Sequence, residues 1–176
     1  MGIEYFKLPI FDRRPYCDPA EWAQRYRYMK TTASMFSFEQ SPYFELPNQV
    51  MGDLAGTACV VLKVPSQTGK TETLINMLGW IVEYDRANTL LIMDTKTSGI
   101  ALSKNRIRPF LRDVCGLDYS KTASSKGKDN DHSMNAVDLG IGRGANVKIG
   151  SSRCAGDLCS TPVKYLLMDE LDRWQK

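Results

Sequence analysis

The chain has 176 residues, enough for one domain with a sizeable core and too few for a second, and its 43% hydrophobic and 24% charged content is ordinary for a soluble globular protein. A net charge of +3 does not by itself establish a nucleic-acid partner, and no apolar run approaches the length of a membrane span. Five cysteines without a Cys-x-x-Cys pair, and a single histidine, His132, argue against a zinc site or a disulfide framework.

The N-terminus, Met1-Gly-Ile-Glu-Tyr5, has no basic stretch followed by an apolar core, so a cytoplasmic location is expected. Asp18-Pro-Ala-Glu21 offers an N-cap, a proline at the first helical position and a glutamate at the third, which predicts a helix to about Lys30. Ser41-Pro-Tyr-Phe-Glu-Leu-Pro47 reads as a bent connector, because two prolines bracket an aromatic pair. Tyr43 could stack on a base there, although packing is the commoner role of such an aromatic. Residues 1–50 are therefore read as an N-terminal helix and connector, and residues 51–176 as the core.

Thr57 to Lys63 reads TACVVLK, a strand, and the octapeptide Val64-Pro-Ser-Gln-Thr-Gly-Lys-Thr71 follows it. Leu74, Ile75, Leu78, Ile81 and Val82 then recur at helical spacing. A strand, a glycine-containing loop and a helix start are what a triphosphate needs: backbone amides, a flexible cation and a hydroxyl for Mg²⁺. The usual pattern begins with a glycine where this chain has Val64, and Pro65 has no amide hydrogen. The anion-binding nest is therefore expected on Ser66, Gln67, Thr68, Gly69, Lys70 and Thr71.

Thr89 to Asp94 predicts a second strand, and Ser98 to about Val114 a helix with Ile100, Ile107, Leu111 and Val114 inward, kinked or split at Pro109. Lys104, Arg106, Arg108 and Arg112 cluster on it, as a solvated face or a DNA contact. Ser120 to Asn135 is polar and is expected as a mobile surface loop. Short strands are expected at Ala136 to Leu139 and Asn146 to Ile149, separated by Gly140-Ile-Gly-Arg-Gly144.

Val163 to Met168 has a buried-strand pattern and ends in Asp169 and Glu170, two carboxylates at the sheet edge where ligands bind. Asp169 would hold Mg²⁺, and Glu170 would polarise the water that attacks the γ-phosphate. The expected fold class is α/β, a P-loop NTPase with a mainly parallel sheet flanked by helices. Lys176 follows soon after the acidic pair, whereas such a sheet needs further strands, so a fragment of a longer protein is expected.

With these residues laid out, the chain resembles the N-terminal ATPase portion of phage terminase large subunits, most closely the lambda-type, GpA-like family. The likeness rests on Phe11-Asp-Arg-Arg-Pro-Tyr16, Ser66-Gln-Thr-Gly-Lys-Thr71, Ser103-Lys-Asn-Arg-Ile-Arg-Pro109 and Leu167-Met-Asp-Glu-Leu-Asp-Arg173. The resemblance implies a motor that hydrolyses ATP to drive double-stranded DNA into an empty capsid. Its implied partners are the portal protein, a small terminase subunit and further copies of itself, in the host cytoplasm and transiently at the procapsid portal, with no membrane involved. Carried over by position, Lys70 contacts the β- and γ-phosphates, Thr71 and Asp169 hold Mg²⁺, and Glu170 positions the water. Relatives often use an arginine to neutralise transition-state charge. Ser66 stands where some carry it in the loop, and Arg153 is the substitute proposed from this sequence. The nuclease implied for the full-length protein has no counterpart here.

Two other readings compete. A helicase-like DNA translocase shares both motifs, and a non-hydrolysing assembly module would account for the departures at Val64 and Pro65. A small-molecule kinase fits less well, because Glu170 directly follows Asp169.

Overall fold

Helix α1 (Pro19–Tyr26) starts where Asp18 Oδ1 accepts from the amides of Ala20 and Glu21 at 2.8 and 2.9 Å, with Pro19 at the first helical position. The computed structural model describes residues 14–53, 55–56, 59–117, 137–142, 145–159 and 162–174. The expected loop from Ser120 to Asn135, the starts of the strands expected at Thr57 and Ala136, and residues 11–13 lie outside the described residues.

The first helix ends at Tyr26 rather than near Lys30. Arg27 turns extended (φ −91°, ψ 104°), which carries its side chain inward to 4% exposure. A small antiparallel hairpin follows, β1 (Tyr28–Met29) with β2 (Ser34–Met35). The expected connector is mostly helical: a 3₁₀ turn (Pro42–Phe44) runs into α2 (Glu45–Met51). Pro47 fits there because it is the third residue of α2, where backbone amides have no intrahelical acceptor to lose.

Helix α3 (Lys70–Trp80) appears where the apolar stripe predicts it and continues as a π-turn through Asp85. Ile75, Leu78, Ile81 and Val82 are buried, and Leu74 packs at the margin of the same core. Gly79 is where α3 meets the Trp22 ring of α1. A Cβ there would lie 2.0 Å from Trp22 Cη2 and 2.7 Å from Phe110 Cζ, so only glycine lets the fully buried Trp22 ring seat on the helix.

The main sheet has the order β4-β5-β3-β6. Central β3 (Thr89–Met93) is buried along its whole length and pairs in parallel with β5 (Ala145–Ser151) on one side and β6 (Tyr165–Met168) on the other. Edge strand β4 (Val137–Gly142) is antiparallel to β5, so among the described residues three of this sheet's four strands are parallel, and both β4 and β5 are longer than the sequence suggests. The β4–β5 pairing carries an irregularity between Gly140 and Gly142.

Between β3 and β4, α4 (Lys96–Leu102) starts two residues earlier than expected, capped by Thr95, whose Oγ1 accepts from Ser98 N at 3.2 Å. It widens into a π-turn over 103–107 and continues as α5 (Arg108–Asp113). Pro109 has no amide to donate, and the Arg108 amide reaches back five residues to Ser103 O. The helix therefore bulges before the proline instead of breaking. Ile107 and Leu111 are fully buried beneath it, each contributing about 1.5–3 kcal/mol of hydrophobic stabilisation, while Ile100 is only half-buried. A short helix, α6 (Ala155–Leu158), precedes β6.

Two strand expectations are corrected. Residues 59–63 join no strand ladder among the described residues, and Val61 is 75% exposed. Leu62 and Val64 instead pack beside Ala20, Phe38 and Phe44. An apolar β-branched run has strand propensity, but a ladder requires a neighbour, and β6 borders only β3 in the described sheet. The strand β6 begins at Tyr165 rather than Val163 and is buried on one face only, with Tyr165 and Leu167 inward and Leu166 51% exposed. No helix among the described residues is long and apolar enough to cross a membrane.

Candidate functional site

Parallel strands end on one edge of the sheet, and that edge gathers the charged residues. Asp94 follows β3, Ser152 and Arg153 follow β5, and Asp169 and Glu170 follow β6. The loop 64–71 reaches the same edge because α3 begins there. Gly69 caps the helix in the left-handed conformation (φ 108°), and its Cα side meets the buried Phe44 ring, 3.4 Å from where a Cβ would stand. Gln67 is also left-handed (φ 61°).

The polar groups of the loop fold onto its own carbonyls. Thr68 Oγ1 donates to Pro65 O at 2.8 Å, and the Lys70 ammonium to Val64 O at 3.3 Å. Val64 and Pro65, where the sequence departs from the usual pattern, therefore act as acceptors for the loop's own side chains. Ser66 and Gln67 are exposed, whereas Thr68 to Thr71 are half-buried.

The two sequence motifs meet at one bond. Thr71 Oγ1 donates to Asp169 Oδ2 at 2.7 Å, across 98 residues of chain. Asp169 is only 4% exposed. Its Oδ1 accepts from the Glu170 amide at 3.0 Å, and its own amide donates to Ile92 O at 3.0 Å, extending the β3–β6 ladder by one bond. The Trp174 indole donates to Asp169 O at 3.1 Å, closing the turn from below. A hydroxyl and a buried carboxylate side by side are the donor pair a hard divalent cation takes from such a site, so these residues fit Mg²⁺.

Glu170 occupies a left-handed backbone position (φ 53°) at the start of the 3₁₀ turn Leu171–Arg173, and Arg173 Nη1 donates to its Oε2 at 3.2 Å. The left-handed backbone at Glu170 ends the strand there and starts the turn. Asp94 completes the edge. The Ser98 hydroxyl, then the Thr95 amide and the charge of Arg173, hold its carboxyl below the usual aspartate value, against some desolvation.

Arg153 is exposed in the bend after β5, where its amide donates to Ser151 Oγ at 3.3 Å. With β3 lying between β5 and β6, Arg153 is one strand removed from the acidic pair. No hydrogen bond or ion pair joins its side chain to the loop or to Asp169 among the described residues.

Sequence reasoning missed a charge cluster just behind the loop. Glu72, one residue past Thr71, receives Arg27 on Oε2 and Arg106 on Oε1. Arg27 also donates to Glu72 O at 3.1 Å and to Asn76 Oδ1, and its guanidinium lies over the Phe36 and Phe110 rings at 5.1 and 5.5 Å. Burial, with the nearby Arg106 charge adding to it, pulls Arg27 down to about 9. Arg106 thus stays exposed on the basic face but reaches across to Glu72 on α3, and Arg112 pairs with Asp113. Only the position of Glu72 beside Gly-Lys-Thr hinted at this in the sequence, and its partners come from segments 45 and 34 residues away.

Comparison with curated proteins and with solved structures gave no match. One protein family, described as the ATPase domain of the phage terminase large subunit gpA, has a model that matches residues 31–176; with its loop and acidic turn lying inside that span, the chain belongs to this family.

Proposed function

We propose that the site at the carboxyl edge of the sheet binds and hydrolyses ATP, and that hydrolysis drives double-stranded viral DNA into a capsid. Family membership supports the ATP-driven packaging role. The observation that carries the residue assignment is the 2.7 Å bond between Thr71 and Asp169, which joins the loop to the acidic turn.

In this reading the fold is that of a P-loop NTPase. Amides of residues 66–71 and the start of α3 cradle the phosphates, and the Lys70 ammonium exchanges the Val64 carbonyl for β- and γ-phosphate oxygens. Thr71 and Asp169 hold Mg²⁺, which when bound supplies charge neutralisation on the phosphates. Glu170 accepts a proton from the attacking water as the new P–O bond forms and the β–γ bridge breaks, giving ADP and phosphate. Arg173 holds Glu170 by one hydrogen bond between partly exposed groups, a contact weak enough for the carboxylate to turn. Tyr43, 53% exposed and 4.7 Å from the Phe44 ring that abuts Gly69, is proposed as a platform for the base.

Portal protein, small terminase subunit and further copies of the chain are the proposed partners. The test is DNA-stimulated ATP hydrolysis by the intact protein beside its Lys70→Ala and Glu170→Gln variants. Activity abolished by both changes is the expected result. Equal turnover in all three would sink the assignment, and no turnover in any would favour a non-hydrolysing assembly module.

A further inference from the structure

Glu72 stands between two arginines that are held very differently. Arg27 is 4% exposed and has three acceptors: the Glu72 carboxylate, the Glu72 carbonyl and Asn76 Oδ1. It is locked, since a buried guanidinium that left those acceptors would be stranded. Arg106 has a side chain 41% exposed, and among the described residues it donates to Glu72 Oε1 alone.

Arg27, Arg106 and Glu72 together carry a net charge of +1 at the first turn of α3, next to the residue that bonds Asp169. If Arg106 leaves, Glu72 keeps a full counter-charge in Arg27, so the swing costs little beyond one partly solvated ion pair. We propose that Arg106 is a phosphate-contacting residue of the nucleotide site, parked on Glu72 and drawn from there to the γ-phosphate of bound ATP. This rests on the reading of residues 66–71 as the phosphate loop.

Two further observations agree. Burial pulls the Arg106 guanidinium down, and the opposite charge of Asp169 works against that. The π-turn over 103–107 gives the side chain its direction: Ile107 beside it is fully buried and anchors the turn, leaving Arg106 on the face toward α3. Wide turns of this kind cost helix geometry and recur at functional positions.

Equilibrium binding of Mg²⁺–ATPγS and of Mg²⁺–ADP to the intact protein separates a γ-phosphate contact from a helix clamp. Arg106→Gln is expected to weaken ATPγS by about 10–100-fold, the scale of one charge-assisted contact, and to leave ADP within about twofold. Arg106→Lys should fall between, because it keeps the charge and loses the forked donors. Equal weakening of both nucleotides, or of neither, overturns the inference while leaving the nucleotide site standing. Selective loss in Arg153→Ala but not in Arg106→Gln transfers the role to Arg153. A wild-type protein that binds neither nucleotide overturns the phosphate-loop reading as well. Should Arg106→Gln fail to fold, undiminished ATPγS affinity in Arg106→Lys overturns the inference.

Discussion

Replacing Thr71 by Val removes the hydroxyl that joins the loop to the acidic turn and almost nothing else, since the two side chains have nearly the same shape. In the native fold Thr71 Oγ1 donates to Asp169 Oδ2 at 2.7 Å, and Asp169 is 4% exposed. Valine leaves that oxygen facing a methyl group with little water to replace the donor, while Oδ1 keeps the Glu170 amide. A hydrogen bond to a charged group contributes about 1.5–3 kcal/mol, and an orphaned buried acceptor costs a similar amount. Taking about 2 kcal/mol, and about 2–4 °C per kcal/mol for a domain of this size, Tm should fall by about 4–8 °C. Calorimetry without nucleotide is the assay, with Asp169→Ala and the double variant closing a cycle whose coupling energy should exceed about 1 kcal/mol. A Tm within about 1 °C of wild type, with additive single losses, would show that the hydroxyl and carboxylate do not meet, and the site would lose its central contact.

Two other outcomes test the frame. Gly79→Ala gains about 1 kcal/mol of helix preference but sets a Cβ 2.0 Å from the buried Trp22 ring, so overpacking of about 1–3 kcal/mol or more should win and lower the urea midpoint. An unchanged or higher midpoint would mean that the ring can step aside. For Asp94, a folded-state value below 3.8 means its contribution is fully present above that pH and is lost as pH falls through the lower folded value; Ser98→Ala should move the carboxyl back up toward 3.8 in an NMR titration, and an unmoved titration would refute the Ser98 attribution.

Local signals were legible wherever a few neighbouring residues settle the matter. Asp18 and Pro19 start α1 as their cap chemistry requires, and the stripe from Ile75 to Val82 turns its apolar face to the core. Their limits show where a distant group intervenes. Helix α1 stops at Tyr26 because Arg27 is needed inside, against Glu72 and Asn76. The basic run on the α4–α5 helix reads in the sequence as a solvated face or a DNA contact, and nothing local foretells that Arg106 pairs with Glu72 on α3.

Composition, charge and the spacing of Gly69-Lys70-Thr71 and Asp169-Glu170 already marked an α/β chain with a phosphate-loop pattern and an acidic strand end, because residue type and local periodicity carry both signals. Tertiary structure alone decided that Thr71 and Asp169 share a hydrogen bond, that Glu170 turns out of the strand, and that residues 59–63 run without a ladder partner among the described residues. Each of these depends on which strand lies beside which, and strand order is a property of the folded sheet that no local run of residues specifies.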